Sequence, residues 1–239
     1  MNKYETLIFD LDDTLIDNNE SVKYAFMVVL DQLNIKFTNE LFKKWLNFDK
    51  KYWHIYENKK IIIPNTIKSK ESIITYLRAN RFLIFFKKLN LSLEDAIDIN
   101  DLFCKNLGVN IIEIEGASTL LQKLSPNYEI LIATNAAKET AHVKLEKANL
   151  DTYISSIITP DDVGYSKPKE EFFNYLYKKS ENKDKNKMLL TGDSLTTDIL
   201  GGMNNGIDTC WYNPNNNPIP TKYNPTMSIN KLLQLTKKL

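Results

Sequence analysis

Two aspartates near the N-terminus have the spacing that carboxylate chemistry requires. Asp10 and Asp12 directly follow an apolar, β-rich run at Thr6–Phe9. In nearly extended chain, side chains two residues apart point in the same direction, so both carboxylates can enter one small volume. Two acids this close repel each other unless a cation or a shared proton separates them. The arrangement is costly for a structural role and favours a catalytic or metal-binding one.

Three more polar clusters follow later β-rich runs and could join the two aspartates. They are Thr134-Asn-Ala136, Ser166-Lys-Pro168 and the segment Gly192–Asp198, which contains Asp193. In open α/β sheets, ligands bind beyond the carboxyl ends of the strands. The sequence therefore predicts that an acid, a hydroxyl group, a lysine and a second acid pair converge at one sheet edge.

The elements that must position these clusters are predicted from hydrophobic patterning. Strands are predicted at Thr6–Phe9, Glu129–Ala133, Ile154–Thr159, Lys187–Thr191 and Thr209–Tyr212. Helices are predicted between or after them at Ala117–Leu124, Lys138–Asn149, Pro168–Lys179, Thr196–Asn205 and, in the tail, Ile229–Leu239. Alternating strands and helices indicate an α/β fold with a doubly wound parallel sheet.

The segment after the first strand breaks this alternation, because it contains only helical patterns. Helices are predicted at Ser21–Leu33, Asn39–Tyr56, Ser69–Leu89 and Ser92–Leu107, the last opening with a capping-box variant at Ser92-Leu-Glu-Asp95. Lys59–Pro64 is predicted as a loop or a short extended piece. We therefore expect a core domain at 1–17 and 112–239, with an all-helical domain inserted at 18–111.

Composition excludes several classes of protein. No apolar run reaches the ~18 residues that a spanning helix needs, so no membrane association is expected. The formal net charge of +1 gives no electrostatic reason to expect nucleic acid as a partner. The N-terminus enters a strand almost at once, and the two cysteines lie in unlike segments. We therefore expect no signal peptide and a reduced, cytoplasmic location. Nothing in the sequence indicates the oligomeric state.

The four polar clusters, in this order, resemble those of the haloacid dehalogenase (HAD) superfamily. The helical insert is similar to the C1-type cap of that superfamily, so the resemblance implies a Rossmann-like core with a cap domain. The segment Gly192–Pro214 resembles the bacterial pyrimidine 5′-nucleotidase-like subfamily, which Asp13 also suits. The resemblance covers essentially the whole chain and implies a phosphatase that acts on a small phosphate ester.

The resemblance also implies roles for the acidic residues. Asp10 is the expected nucleophile, which would form an aspartyl-phosphate. Mg²⁺ is the expected cofactor, held by the side chains of Asp10 and Asp193 and by the main-chain carbonyl of Asp12. The Asp12 carboxyl group is the expected general acid, and then the base that activates water.

Further residues would bind and support the phosphoryl group. Lys167 would keep Asp10 ionised and bind phosphoryl oxygens. Thr134 and the amide of Asn135 would hold the phosphoryl group. Thr14 and Asp198 would not contact substrate but would orient the residues that do, Asp198 by orienting Lys167 or a metal-bound water.

Substrate choice is the least determined part. A sugar phosphatase or phosphoglycolate phosphatase would use the same residues, as would a mutase, and a non-catalytic binding protein is the alternative of another class. Dehalogenases of this superfamily lack an acid at the position of Asp12, since a halide leaves without a proton. In the insert, Arg81 could contact substrate or form a structural ion pair. The aromatic stripe at Trp45, Phe48, Tyr52 and Tyr56 could be core or a stacking surface.

Overall fold

The structure is a computed structural model that describes residues 3–57 and 61–239. Its main feature is a six-stranded sheet in which every neighbouring pair is parallel, in the order β5-β4-β1-β6-β7-β8, and a separate antiparallel pair joins β2 to β3. The strands are β1 (Thr6–Phe9), β2 (Ile16–Asp17), β3 (Ile112–Glu113), β4 (Glu129–Ala133), β5 (Ser156–Ile158), β6 (Met188–Gly192), β7 (Asp208–Tyr212) and β8 (Met227–Ile229).

Strand β1 is central and marks the point where the chain reverses its direction across the sheet. In the register of the sheet, Phe9 lies between Ile132 of β4 and Thr191 of β6. From β1 the chain adds β4 and β5 on one side, then returns to add β6, β7 and β8 on the other. The predicted doubly wound parallel sheet is confirmed. Its switch point lies at the carboxyl end of β1, where ligands bind in such sheets.

Helices cover both faces of the sheet, and a second group of helices forms its own unit. The helices are α1 (Asn18–Gln32), α2 (Asn39–Glu57), α3 (Lys70–Phe85), α4 (Leu93–Leu107), α5 (Ala117–Leu124), α6 (Lys138–Lys147), α7 (Pro160–Val163), α8 (Glu170–Lys179) and α9 (Leu200–Asn204). Shorter 3₁₀ turns lie at Lys87–Leu89, Asp151–Tyr153, Lys185–Lys187 and Leu232–Lys237, and a π-helical turn at Leu195–Ile199. None of the described helices has both the length and the apolar character needed to cross a bilayer.

The sheet is buried on both faces, as parallel sheets generally are. Alternate residues of β1 enter different apolar clusters: Leu7 and Phe9 pack with the cluster that contains α5, whereas Ile8 packs with Phe172 and Phe173 of α8. This two-sided burial explains why the sequence of β1 is a continuous apolar run. The first polar side chain after it, Asp10, directly follows the carboxyl end of this buried strand.

The chain divides into two compact units, Met1–Asn19 with Ile111–Leu239, and Glu20–Asn110. The second unit has an aromatic core in which the buried Trp45 ring stacks on Phe26 and Phe82, with ring centroids 5.1 and 4.8 Å away. Helix α4 begins with the predicted capping box, because the side chains of Ser92 and Asp95 each accept a hydrogen bond from the backbone of the other.

Several local expectations were wrong. The β2–β3 pair and β8 were not predicted, because two- and three-residue strands are too short to show an alternating pattern. Helix α8 begins at Glu170 and not at Pro168, which follows a cis peptide bond at Lys167. The tail contains β8 and a 3₁₀ turn where an amphipathic helix was expected. Lys59–Pro64 was predicted as a loop or a short extended piece; residues 59 and 60 lie outside the described residues, and the irregular backbone of 61–64 agrees with the loop alternative.

Candidate active site

Asp10 is held at the carboxyl end of β1 by the sheet itself. Its backbone N–H donates to the carbonyl of Thr191 at 2.9 Å, which continues the pairing with β6 by one residue. The buried Thr14 hydroxyl lies 3.4 Å from Oδ2 of Asp10 and accepts a hydrogen bond from the backbone N–H of Asp193 at 3.1 Å. Thr14 therefore ties the loop after β1 to the loop after β6.

Three carboxylates meet at this point. Oxygen atoms of Asp10, Asp193 and Asp198 lie within 4.8 Å of one another. Burial raises the pKa of Asp10 to about 7, a rise that Asp198 reinforces and Lys167 opposes. Burial, with the charges of Asp10 and Asp198, raises the pKa of Asp193 to about 8. A small cation bound by oxygen ligands would relieve this repulsion, and this donor set fits Mg²⁺.

A buried lysine lies between two of the acids. The Lys167 ammonium donates to Oδ1 of Asp10 at 2.7 Å and to Oδ1 of Asp198 at 2.6 Å. Burial lowers the pKa of Lys167, but the two carboxylates outweigh it and raise the pKa above the usual lysine value. Lys167 is therefore a permanent positive charge directly beside Asp10.

Asp198 is fully buried and is held at both of its oxygens. Oδ1 accepts from Lys167, and Oδ2 accepts from the backbone N–H of Ser194 at 3.1 Å. A Cβ atom at Gly192 would lie only 2.3 Å from Oδ2 of Asp198. The geometry therefore favours Asp198 as the group that positions Lys167, and it leaves Asp10 and Asp193 as the better candidates to hold a metal ion.

In the cluster after β4, the side chain of Asn135 holds the backbone of Lys167. The Asn135 side chain accepts from the backbone N–H of Lys167 at 2.8 Å and donates to its carbonyl at 3.1 Å. The buried Thr134 hydroxyl accepts from the backbone N–H of Ala136 at 3.1 Å. The structure thus gives Asn135 a role that the sequence did not predict, while phosphate binding by Thr134 and the Asn135 amide stays a prediction.

Asp12 has a partner that sequence reasoning missed. Lys144 of α6 is fully buried, and its ammonium lies 2.5 Å from Oδ1 of Asp12 and 2.6 Å from the side-chain oxygen of Asn18. A signal was present in the sequence, because Lys144 falls on the buried stripe of α6 with Ala141 and Leu145. A lysine on an apolar helix stripe needs a partner for its charge.

Arg81 belongs to the helical unit and is buried there. Its guanidinium donates to the Arg78 carbonyl at 3.0 Å, to Asp49 at 3.0 Å and to Asn100 at 3.3 Å. Every guanidinium nitrogen thus has a partner within the unit, which favours the structural interpretation of Arg81; contact with substrate stays a prediction. In the aromatic stripe, Trp45 and Tyr52 are buried core residues, and the Tyr56 side chain lies outside the described part of the structure.

The fold and the site together define the class of the protein. Residues 7–212 match the family described as haloacid dehalogenase-like hydrolase, and the chain belongs to that family. Its relatives include HAD-hydrolase YfnB of Bacillus subtilis, which is 28% identical over 98% of this chain and 95% of the relative. Pyrimidine 5′-nucleotidase YjjG of Escherichia coli is also 28% identical, over 99% of this chain and 98% of the relative. Pyrimidine 5′-nucleotidase PynA of Streptococcus pneumoniae is 28% identical over 95% and 91%.

Solved structures agree with this family. The crystal structure of Bacillus subtilis YfnB bound to magnesium is similar over 100% of this chain and 99% of that chain, with a TM-score of 0.86 and 28% identity. A 2-haloacid dehalogenase from Pseudomonas syringae has a TM-score of 0.69 at 19% identity, over 98% of this chain and 97% of its own. At that identity the likeness shows the shared fold alone.

Proposed function

We propose that the protein is a Mg²⁺-dependent phosphomonoester hydrolase that acts through an aspartyl-phosphate on Asp10. The observation that carries this proposal is the buried Lys167 ammonium between Asp10 and Asp198, with Asp193 beside them. A carboxylate can attack a phosphate dianion only where positive charge offsets the repulsion. Lys167 supplies part of that charge at a fixed distance from the attacking group.

The residues fit Mg²⁺ as the source of the remaining charge. Asp10, Asp193 and the main-chain carbonyl of Asp12 would hold the ion, which neutralises phosphoryl oxygens when bound. Thr14 fixes the spacing of the two loops that carry these ligands. The magnesium-bound structure of the relative YfnB supports this choice of metal.

The first half of the reaction moves the phosphoryl group to Asp10. A carboxylate oxygen of Asp10 forms a bond to phosphorus, and the bond from phosphorus to the ester oxygen breaks. That oxygen keeps the electron pair and takes the proton of the Asp12 carboxyl group, which leaves Asp12 ionised. Lys167, aligned by Asn135, holds Asp10 in its ionised form and in position.

The second half returns Asp10 to its starting state. Asp12, now a carboxylate, takes a proton from water while the water oxygen bonds to phosphorus. The bond between Asp10 and phosphorus breaks with its electron pair returning to the carboxylate, and inorganic phosphate is released. The presence of an acid at position 12 favours a phosphatase over a dehalogenase, because a halide needs no proton to leave.

We propose nucleoside 5′-monophosphates with pyrimidine bases as the preferred substrates, and the helical unit as the cap that selects them. Two relatives that match nearly the whole chain, YjjG and PynA, are named as pyrimidine 5′-nucleotidases, and this carries the proposal. Sugar phosphates and phosphoglycolate are the alternatives on the same residues.

A phosphate-release screen tests both levels of this proposal. We expect release from UMP, dUMP or dTMP with Mg²⁺, none in EDTA, and none from the Asp10→Asn variant. Purine monophosphates, glucose 6-phosphate, phosphoglycolate and inorganic pyrophosphate complete the panel. If another ester leads in kcat/KM by about tenfold, or ~1.4 kcal/mol, the substrate proposal fails while the phosphatase proposal stands. If pyrophosphate, an anhydride, leads by that margin, the phosphomonoester proposal fails as well. No release from any ester with Mg²⁺ would contradict the phosphatase proposal.

A further inference from the structure

A second buried lysine in the α/β unit lies outside the cluster of Asp10, Asp198 and Lys167. Lys144 is fully buried in the middle of α6, where its neighbours on the helix, Ala141 and Leu145, are core residues. Its ammonium has two oxygen acceptors, one on Asp12 at 2.5 Å and one on Asn18 at 2.6 Å. A buried ammonium is tolerated only with such partners, so the loop after β1 and Lys144 depend on each other.

Stability is a poor explanation for this pair. Replacing a buried ion pair by apolar side chains of similar size is often neutral or stabilising. The acidic partner is, moreover, not fully enclosed, since the Asp12 side chain keeps 25% of its exposure whereas Lys144 has none. The Asp12 carboxylate differs from other acids in its position, because it lies two residues after the candidate nucleophile Asp10 in the same loop. This position gives a functional reason to fix its orientation.

The two oxygens of Asp12 are in different situations. Oδ1 is bonded to Lys144, while Oδ2 accepts no hydrogen bond from any residue in the described ranges 3–57 and 61–239. One oxygen is thus anchored and the other is available to carry or receive a proton. An anchored carboxyl group has fewer orientations to search, which is how fixed geometry lowers a barrier.

We propose that Lys144 is a positioning residue for the general acid and base, fixing Asp12 through Oδ1 so that Oδ2 serves the proton transfers. This inference rests on the proposed function. As the ester bond breaks, the Asp12 proton passes to the leaving oxygen and negative charge develops on Asp12. The adjacent Lys144 ammonium stabilises that charge where it forms. Lys144 itself exchanges no proton and touches no substrate.

The proposal predicts a loss that depends on the leaving group. The Lys144→Met variant removes the ammonium and keeps an apolar side chain of similar length in the core. For UMP, whose alkoxide must be protonated to leave, we expect kcat/KM to fall about 100-fold, within the range of general acid catalysis. For p-nitrophenyl phosphate, whose phenolate leaves without a proton, kcat/KM should fall less than about threefold.

Controls separate positioning from a general loss of structure. Lys147→Met removes an exposed lysine of the same helix and should leave both substrates unaffected. In an Asp12→Asn background, adding Lys144→Met should change kcat/KM for UMP by less than about twofold, because Lys144 acts through Asp12. If Lys144→Met does not fold, Asn18→Ala removes the second acceptor of the Lys144 ammonium. This variant should show the same selective loss of kcat/KM for UMP, but a smaller one.

The outcomes are distinct. Equal losses on both esters, or a full additional loss in the Asp12→Asn background, would overturn the positioning role. If the wild-type protein releases phosphate from neither UMP nor p-nitrophenyl phosphate, the proposed phosphatase function is contradicted instead.

Discussion

At the scale of single residues, the site depends on the absence of a side chain at Gly192. Gly192 is the last residue of β6, and the Asp198 carboxylate occupies the space that a Cβ atom at this position would need. That carboxylate receives hydrogen bonds from Lys167 and from the backbone of Ser194. Glycine at this position is therefore a requirement for placing Lys167 beside Asp10, through Asp198.

The Gly192→Ala variant should displace the Asp198 carboxylate and with it Lys167. We expect kcat to fall about 100-fold, because small misplacements of catalytic groups have effects of that size. Steady-state kinetics on p-nitrophenyl phosphate measures it. Gly206→Ala is the control: its φ of +71° makes alanine costly by about 1 kcal/mol, yet a Cβ there meets nothing within 4 Å. That variant should melt earlier and keep its kcat. Wild-type kcat in Gly192→Ala would contradict the positioning of Lys167 by Asp198.

Sequence reasoning predicted the carboxylates and Lys167 of this site but not all their partners. Asp10, Asp193 and Lys167 were predicted to converge because each follows a strand, and the parallel sheet brings strand ends to one edge. The structure brings them together with Asp198. Lys144 was missed because a helix pattern shows that a residue faces the core, not which loop it meets there. For Asn135 the sequence predicted a role of the backbone amide. The contact of its side chain with Lys167 was missed, because a single sequence does not reveal side-chain direction.

At the scale of elements, Arg81 explains part of the packing of the helical unit. Its guanidinium pairs with Asp49 of α2 and Asn100 of α4, and lies within about 6 Å of the rings of Trp45 and Phe103. Arg81 on α3 thus connects three helices through a planar group that lysine cannot imitate.

Arg81→Lys should therefore destabilise the helical unit. Lysine can replace one of the three hydrogen bonds, and loss of the bond to the buried Asn100 side chain costs about 1–3 kcal/mol of unfolding free energy. Urea denaturation measures the loss. Arg78→Lys is the matched control, because the Arg78 side chain is only half-buried and the bond to its carbonyl survives the change. Unchanged stability with a raised KM for UMP alone would instead support contact with substrate.

Elements with a clear apolar pattern were predictable, whereas strands β2, β3 and β8 lack such a pattern and were missed. Strands β1 and β4 and helix α5 were predicted with their observed bounds, because their apolar patterns span a whole element and are bounded by polar residues or turns. The Pro168 helix start was wrong, because Lys167 and Pro168 lie in a turn closed by the bond from the Lys169 N–H to the Ser166 carbonyl, and α8 begins after it at Glu170. Thr196–Asn205 was predicted as one helix but contains a π-helical turn followed by α9.

At the scale of the whole molecule, the sheet topology concentrates negative charge in one buried place. Burial and mutual repulsion raise the pKa of Asp10 to about 7 and that of Asp193 to about 8, whereas an unfolded chain has aspartates near about 3.9. Between these values the folded, metal-free protein binds more protons than the unfolded chain. Its stability must then decrease as the pH rises through this window.

We expect the metal-free protein to melt at a higher temperature at about pH 6 than at about pH 8. Saturating Mg²⁺ should reduce or reverse this difference, because the ion binds the ionised carboxylates and releases their protons. Differential scanning calorimetry in EDTA and in Mg²⁺ measures both. Asp193→Asn removes one of the two groups and should flatten the metal-free dependence. A metal-free protein that gains stability over this interval would contradict the charge arrangement described here.

The measurement that tests the central claim most directly is the capture of a phosphoryl group on Asp10. Asp12→Asn protein is mixed with p-nitrophenyl phosphate and Mg²⁺, quenched in acid, and mapped by tandem mass spectrometry. The phenolate leaves without a proton, so Asp10 should be phosphorylated, while loss of the Asp12 base should slow hydrolysis and let the intermediate accumulate. We predict phosphate on the peptide that contains Asp10 and none in Asp10→Asn/Asp12→Asn. Phosphate on another residue, or none on Asp10 while the wild-type enzyme turns over, would contradict the account.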